Sequence, residues 1–228
     1  MTVDQYLAHV QAIFLEKGDL PTAQGQMRYM RHKFEYYGLK AGRWMELSKA
    51  IFQEKGLLEG EELKALARLC FEDVHRELHY FALEMVQKTL KKQPAGFIAF
   101  LEELIITQSW WDTVDWLAKL VGIHFKKYPD LVLPTTAHWM ASGNCWLQRV
   151  CLIFQLSYRD KTDFDLMKKY ILQIAASKEF FLQKGAGWAL RQHTRTDPQA
   201  VLDFVAQNPQ LAPLTKREAL RLVKANKL

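Results

Sequence analysis

The spacing of apolar residues constrains the fold of this chain more than any other feature of the sequence. Apolar side chains recur every three or four positions, which is the spacing of one face of an α-helix. One such stripe lies near the start, at Val3, Tyr6, Leu7, Val10, Ile13 and Phe14, and another comprises Val201, Phe204 and Val205. Alternating runs of β-branched residues bounded by hairpin turns are almost absent. The sequence therefore predicts an all-α fold.

Proline and glycine divide the chain into roughly a dozen helices. Gly38 is expected to end a helix that contains Tyr29 and Phe34. Asn144 is expected to cap a helix beginning at Cys145, and Asp197 resembles an N-cap followed by a proline in the first turn. Further boundaries are expected at Pro94, Pro129, Pro134, Pro198, Pro209 and Pro213.

Helical segments of similar character return along the chain. Three stretches each place small or polar residues before apolar ones: HRELHYFALEMVQK (75–88), NCWLQRVCLIFQL (144–156) and KGAGWALRQHTRTDPQAVLDFVAQ (184–207). A period near 40 is typical of HEAT-like repeats, which stack into a superhelix (an α-solenoid) with one concave face. We therefore predict a single such domain over residues 1–228. A compact helical bundle without repeats is the alternative.

Positive charge is concentrated in the second half of the chain. Of 31 Lys and Arg and 25 Asp and Glu, residues 1–114 carry 14 basic and 16 acidic side chains, whereas residues 115–228 carry 17 and 9. A basic half favours a polyanion, either nucleic acid or an anionic membrane, as the partner. A lysine-rich solvated surface would give the same count.

The cysteines and the apolar runs predict the cellular compartment of the protein. Cys70, Cys145 and Cys151 are odd in number, form no CxxC pair and lie among apolar neighbours, which favours buried free thiols in a reducing cytoplasm. The N-terminal residues lack the features of a signal peptide, and no apolar run is long enough to span a membrane. We expect a cytoplasmic protein without a membrane partner.

The stretch SWWDTVDW (109–116) combines three tryptophans with two aspartates. On a helix, Trp111 and Asp115 are one turn apart on one face. Trp110 and Trp116 are expected to pack into the core, and Asp112 is expected near the helix start, where a carboxylate suits the helix dipole. Core packing with a capping acid would explain the stretch without any chemical role.

Four segments together resemble the DNA alkylation repair family of HEAT-like glycosylases. They are RYMRHKFEYYGLK (28–40), SWWDTVD (109–115), NCWLQR (144–149) and GAGWALRQ (185–192), so the resemblance extends over nearly the whole chain. It implies a DNA glycosylase, a hydrolase that removes N3- and N7-alkylated purines in base excision repair. It also implies that the concave face binds double-stranded DNA and that the lesion stays stacked.

The resemblance assigns roles to individual residues. It places Trp111, Asp115 and Trp188 at the lesion as catalytic residues. It implies that Arg149 binds a phosphate of the DNA backbone and that Tyr29 lies near the DNA. From the charge of the second half we add phosphate contacts by Lys126, Lys127, Lys184 and Arg191. The expected protein is a monomer that acts at the bacterial nucleoid.

No metal or cofactor is expected. His75 and His79 are four apart and could share a helical face, but Arg76 follows the first histidine, so the stretch is not HExxH and lacks a third ligand. A non-catalytic HEAT-like scaffold that binds DNA or protein is the principal alternative function. A helical adaptor without a DNA role is less favoured because the second half is basic.

Overall fold

The computed structural model describes the backbone of residues 1–225 and the side chains of residues 1–223. This part of the chain is helical and contains no β-strand; an isolated parallel bridge joins Glu35 and His75. The all-α prediction is confirmed. Within the same residues, no helix has the length and apolar character that crossing a bilayer requires.

The chain folds into two compact units, residues 1–108 (unit 1) and residues 109–228 (unit 2). Unit 1 contains α1 (Val3–Lys17), α2 (Leu20–Tyr29), α3 (Ala41–Lys55), α4 (Gly60–Glu72), α5 (Arg76–Thr89) and α6 (Ile98–Ile106). Unit 2 contains α7 (Trp111–Lys127), α8 (Val132–Ala141), α9 (Cys145–Ile153), α10 (Phe164–Gln173), α11 (Phe180–His193), α12 (Pro198–Gln207), α13 (Pro213–Ala219) and α14 (Arg221–Ala225). The single domain expected over residues 1–228 stays a prediction.

Alternate helices recur at an even interval. The helices α5, α7, α9, α11 and α13 begin at residues 76, 111, 145, 180 and 213, so their starts lie 33 to 35 residues apart. The repeat is therefore present but shorter than the period near 40 that the sequence segments suggested. A helix pair with tight connections accounts for an interval of this length.

The helix starts follow the sequence signals. Asn144 accepts hydrogen bonds from the backbone N–H groups of Trp146 and Leu147, and Asp197 accepts one from Ala200 N–H. Both predicted N-caps are confirmed. Each side chain satisfies N–H groups that have no partner within the helix.

The prediction that one helix contains Tyr29 and Phe34 and ends at Gly38 is wrong. The helix α2 ends at Tyr29, and the next turn closes with His32 N–H bonded to Met27 C=O at 2.8 Å. Arg31 and His32 both have left-handed backbone conformations, with φ of 56° and 54°. A helix cannot continue through two such residues, so Phe34 lies in a loop.

A buried carboxylate on α5 holds that loop. Glu77 is fully buried and accepts hydrogen bonds from the backbone N–H groups of Tyr37, Gly38 and Leu39 at 3.1, 2.9 and 3.0 Å. Gly38 has φ of 92°, and a Cβ there would lie 2.0 Å from Asp19 C=O. The glycine is therefore needed for a close chain crossing and does not end a helix.

The helices α7, α9 and α11 of unit 2 run parallel to one another. Their N-terminal ends meet in an aromatic cluster of Trp110, Trp146 and Phe181, with ring centroids 4.9 to 5.8 Å apart. Towards the other end of α7, a Cβ on Gly122 would lie 2.3 Å from Phe154 C=O, which follows α9. The helix α9 thus lies between α7 and α11, and residues at similar depths along the three helices face one another.

Candidate functional site

A buried ion pair joins α7 to α9, one turn further along these helices than the aromatic cluster. Arg149 donates from Nε to Asp115 Oδ1 at 2.8 Å and from Nη2 to Asp115 Oδ2 at 2.9 Å. The exposed fraction is 6% for the Arg149 side chain and 19% for that of Asp115. This parallel two-bond geometry is the strongest arrangement available to an arginine and a carboxylate.

The helix α11 fixes the other side of the guanidinium. Arg149 Nη1 donates to Phe181 C=O at 2.6 Å. A Cβ on Gly185 would lie 3.2 Å from Arg149 Nη1 and 3.6 Å from Arg149 Cγ. The glycine therefore leaves the space through which the arginine crosses α11, and three of the five guanidinium N–H groups bind protein atoms.

Burial dominates the electrostatics of the carboxylate. Removal from water raises the pKa of Asp115 above its usual value, and the hydrogen bonds and positive charge of Arg149 oppose this rise. The arginine is thus what allows a carboxylate in this position to be charged.

A cavity of about 330 Å³ opens beside the ion pair. Residues from α7, from the end of α9 and the turn after it, and from α11 line it: Asp115, Lys119, Ile153, Phe154, Leu156, Ser157, Trp188 and Gln192. Asp115 therefore has one edge against Arg149 and another against open space. A carboxylate and an indole in one cavity can both stabilise a positive charge on a ligand.

The structure brings Asp115, Arg149 and Trp188 together, as the sequence predicted. Trp111 is the first residue of α7, half-buried and one turn before Asp115. Their roles at a lesion stay predictions. The prediction that Arg149 holds a phosphate also stays untested, although the structure directs its guanidinium inward to Asp115 and Phe181.

The remaining residues of the SWWDTVDW stretch divide between core and surface. Trp110 is buried as expected, and Val114 is buried as well. Trp116 was also expected in the core but is only half-buried. Asp112 is the second residue of α7, in the first turn, as predicted from the helix dipole.

Two of the predicted phosphate contacts are engaged with an acidic residue. Lys184 Nζ lies 2.9 Å from Glu218 Oε1, and Arg191 Nη1 donates to Glu218 Oε2. Glu218 lies on α13 and is buried. DNA binding by Lys184 and Arg191 stays a prediction, but it would have to compete with this pairing.

The other predicted DNA-binding residues are exposed. The Lys126 ammonium lies 4.4 Å from the centre of the Tyr158 ring, and that of Lys127 lies 4.9 Å from the Tyr128 ring. Tyr29, in unit 1, is 72% exposed. All three are accessible to a ligand, and their contacts with DNA stay predictions.

The two histidines set aside as metal ligands bind protein groups. His75 Nδ1 lies 2.9 Å from Asp73 Oδ1, and the ring stacks on Tyr37. His79 is fully buried, with Nδ1 against Arg76 Nη1 and Nε2 against Asp73 C=O. No group of three potential metal ligands occurs among the described residues. The three cysteines are free, and Cys70 and Cys151 are buried.

Sequence reasoning missed Glu218, Lys119 and Gln192. Lys119 follows Asp115 by four residues and Gln192 follows Trp188 by four, so helical spacing alone could have placed both beside the site. Glu218 carries no such signal, because its two partners lie on another helix. Both glycines of the GAG stretch allow close contacts between helices: Gly185 faces Arg149, and a Cβ on Gly187 would lie 2.9 Å from Thr215 C=O of α13.

Comparison with known proteins assigns the fold and the family. Residues 10–223 match the family model for the DNA alkylation repair enzyme. A solved structure described as a predicted DNA alkylation repair enzyme from Enterococcus faecalis is 30% identical, with a TM-score of 0.83 over 90% of this chain and 95% of that one. No functionally curated protein matches the sequence. The chain belongs to the DNA alkylation repair enzyme family, which gives it a role in the repair of alkylated DNA.

Proposed function

We propose that this protein is a monofunctional DNA glycosylase that hydrolyses the glycosidic bond of cationic N3- and N7-alkylated purines. The observation that carries the proposal is the position of Asp115: its carboxylate is bound at two points by Arg149 and lines an open cavity walled by Trp188. The product would be DNA with an abasic site.

The chemistry of the lesion explains why one carboxylate suffices. An alkylpurine with a positive ring takes the electron pair of the breaking bond and leaves as a neutral base, so no general acid has to protonate it. Ordinary glycosidases need a second carboxyl group for that step. The remaining task is to stabilise positive charge at the sugar C1′ and to bind the water that adds there, and Asp115 can do both.

Arg149 acts through Asp115 in this proposal. It holds both carboxylate oxygens in one plane and keeps the buried group ionised. The carboxylate is then fixed before DNA arrives, so little reorganisation is needed when the sugar becomes charged.

Aromatic faces favour the same substrate. An indole face over a cation contributes about 0.5–2 kcal/mol, depending on how far water is excluded. Trp188 lines the cavity beside Asp115, and we assign Trp111, one turn before Asp115, to the same binding site. Selectivity would come partly from charge, because a neutral purine is a poor leaving group even when it is bound.

The assigned partner is double-stranded DNA, bound by a monomer in the cytoplasm. Lys126 and Lys127 would contact phosphates from the exposed end of α7, and Tyr29 would contact DNA from unit 1. The reaction requires no cofactor, because the positive charge of the lesion replaces the activation that a metal or acid would supply.

The test is release of free base from duplex DNA containing N7-methylguanine. We expect the wild-type protein to release it and Asp115→Asn to be slower by about 10²–10³-fold with DNA binding retained. Asp165→Asn, on the exposed face of α10, is the matched control and should excise like the wild type. Excision by Asp115→Asn at the wild-type rate would remove Asp115 from the mechanism. No release by the wild type from any alkylpurine would support the non-catalytic scaffold.

A further inference from the structure

Another cavity lies wholly within unit 1. Its volume is about 400 Å³, within the range of small-molecule sites, roughly 300–1,000 Å³. Met27 of α2, Phe34 in the loop after α2 and Val74 in the turn between α4 and α5 form its apolar walls. Gln108, the last residue of the unit, completes the lining on another side. The proposed excision uses none of these residues.

The ring of Phe34 is fixed from behind. The guanidinium carbon of Arg76 lies 3.8 Å from the centre of the Phe34 ring, and His79 meets that ring edge-on with centroids 5.9 Å apart. Arg76 and His79 are fully buried and do not line the cavity, whereas Phe34 is half-buried and does. The cavity therefore meets the surface of the ring that Arg76 leaves uncovered. Because one cation already lies against the ring, this surface favours a neutral aromatic ligand over a second cation.

The backbone on two sides of the cavity is held in place. His32 and Gln108 both line the cavity and have left-handed backbone conformations, with φ of 54° and 46°. Non-glycine residues keep such conformations only where surrounding contacts impose them. Here His32 N–H binds Met27 C=O at 2.8 Å, and Arg76 Nη1 binds Gln108 C=O at 2.9 Å. The walls are thus formed before any ligand arrives.

The charged groups of the lining do not suit a phosphate. Lys33 is accompanied by two carboxylates, Glu35 and Asp73, so the lining has no excess of positive charge. Asp73 is engaged within the protein: Oδ1 accepts from His75 N–H at 2.8 Å, and Oδ2 accepts from Gln11 Nε2 at 2.9 Å. The Glu35 side chain is 66% exposed, with His75 Nε2 3.9 Å away. Glu35 is therefore the carboxylate that can accept hydrogen bonds from a ligand.

We propose that this cavity binds a guanine-type base, whose ring stacks on Phe34 and whose N1–H and N2–H groups donate to Glu35. These two donors lie side by side and match the two oxygens of a carboxylate, whereas adenine has an acceptor at N1. The ring is neutral, as the Phe34–Arg76 stack favours. Two sources carry it: an unstacked guanine of DNA, and free N7-methylguanine, which keeps both donors. The site goes beyond the proposed glycosylase function and does not depend on it.

The test compares the binding of deoxyguanosine and deoxyadenosine by saturation-transfer NMR. We expect the wild type to bind deoxyguanosine about tenfold more tightly, because a charge-assisted pair of hydrogen bonds is gained. Glu35→Gln should lose this preference, and Phe34→Leu should bind both nucleosides about fivefold or more weakly. Glu46→Gln is the matched control: its side chain is 68% exposed on α3 and lies outside the cavity lining, so it should keep the preference.

Two further probes distinguish the sources of the base. Duplexes with a single bulged guanine or a single bulged adenine test DNA, and free N7-methylguanine is tested as a competitor of deoxyguanosine. A preference for the guanine duplex that Glu35→Gln abolishes would assign the cavity to DNA. Displacement by free N7-methylguanine without such a duplex preference would assign it to the released base.

Equal affinity of the wild type for deoxyguanosine and deoxyadenosine would overturn the proposal. A guanine preference that survives in Glu35→Gln would do the same, and this variant keeps the test valid even if Phe34→Leu fails to fold, because Glu35 is exposed. The nucleosides and bulged duplexes carry no alkylated base. A wild-type protein that shows the guanine preference but releases no base from damaged DNA would therefore refute the glycosylase and leave this site standing.

Discussion

Two arginine–carboxylate pairs with nearly the same geometry occur in the two units. In unit 1, Arg68 of α4 binds Glu103 of α6 through Nε and Nη2 at 2.6 and 2.8 Å. In unit 2, Arg149 binds Asp115 through the same two atoms at 2.8 and 2.9 Å. The difference is solvent: the unit 1 side chains are 44% and 39% exposed, and those of unit 2 are 6% and 19% exposed.

This difference reverses the electrostatic outcome. Hydrogen bonding to Arg68 lowers the pKa of Glu103 below its usual value, because desolvation is slight. Burial raises the pKa of Asp115 despite the same kind of partner. The same hydrogen bonds therefore hold a surface acid firmly ionised but only partly offset the desolvation of a buried one. A buried carboxylate at a cavity is the more responsive of the two to a charged ligand.

The largest effect should come from removing Arg149, with removal of Arg68 as the comparison. Arg149→Met leaves Asp115 buried without a counter-ion, so we expect a loss of about 3–5 kcal/mol in the free energy of unfolding. Excision at neutral pH should fall with it, because more of Asp115 is protonated. Arg68→Met should change stability by less than about 1 kcal/mol. Urea unfolding and single-turnover excision measure the two effects.

Arg149→Lys serves as the conservative control for that comparison. It restores one positive charge but not two parallel hydrogen bonds, so it should recover part of the stability and part of the excision rate. If Arg149→Met and Arg68→Met were equally harmless, burial would not be what distinguishes the two pairs.

A smaller effect is expected in the coupling between partners. A double-mutant cycle of Arg68→Gln with Glu103→Gln should give about 0.2–1 kcal/mol, the range for exposed pairs. The cycle of Arg149→Gln with Asp115→Asn should give a value several-fold larger, because each single variant strands a buried group. Both cycles are measured by denaturant unfolding. Equal coupling energies would show that solvent reaches Asp115 as freely as it reaches Glu103.

The glycine behind the buried pair offers a third, weaker test. In Gly185→Ala the new methyl group would meet Arg149 Nη1 at 3.2 Å, and the guanidinium is held at both ends. We expect excision to fall several-fold at a cost of about 1 kcal/mol in stability. Gly25→Ala, inside α2 with open space around it, is the control and should stabilise by up to about 1 kcal/mol. A gain of stability with full activity in Gly185→Ala would mean that the pair tolerates displacement.

The sequence predicted most of this site because its members lie at helical spacings within recognisable segments. The N-caps at Asn144 and Asp197 were also predictable, since a short polar side chain before an apolar run has one favourable local structure. The loop after α2 could not be predicted in this way, because Glu77 holds it and binds it from 38 to 40 residues away in the sequence.

The direction in which the Arg149 side chain points could likewise not be predicted from the sequence. Spacing places Arg149 on a face of α9 but does not show whether the guanidinium meets solvent or Asp115. That depends on the parallel packing of α7, α9 and α11 and on the space at Gly185. The pairing of Lys184 and Arg191 with Glu218 was hidden for the same reason, since it arises from the contact of α11 with α13.

The two pairs should also respond to pH in opposite directions. Glu103 has a lowered pKa in the folded state, so its contribution to stability is present above the usual glutamate pKa and is lost as pH falls through the lower value. Asp115 has a raised pKa, so the folded state keeps its proton longer than the unfolded chain. Its contribution to stability therefore decreases as pH rises from the usual aspartate pKa to the folded one. Both trends are measured by the unfolding free energies of wild type, Glu103→Gln and Asp115→Asn between about pH 3 and 7. The stability difference between wild type and Glu103→Gln should grow with pH, and that between wild type and Asp115→Asn should shrink.

Excision by the wild type should lose activity on the acidic side at a pH above the usual aspartate range, because the ionised carboxylate is the active form. If both differences moved in the same direction, Arg149 would outweigh burial, and Asp115 would be as firmly ionised as the exposed Glu103.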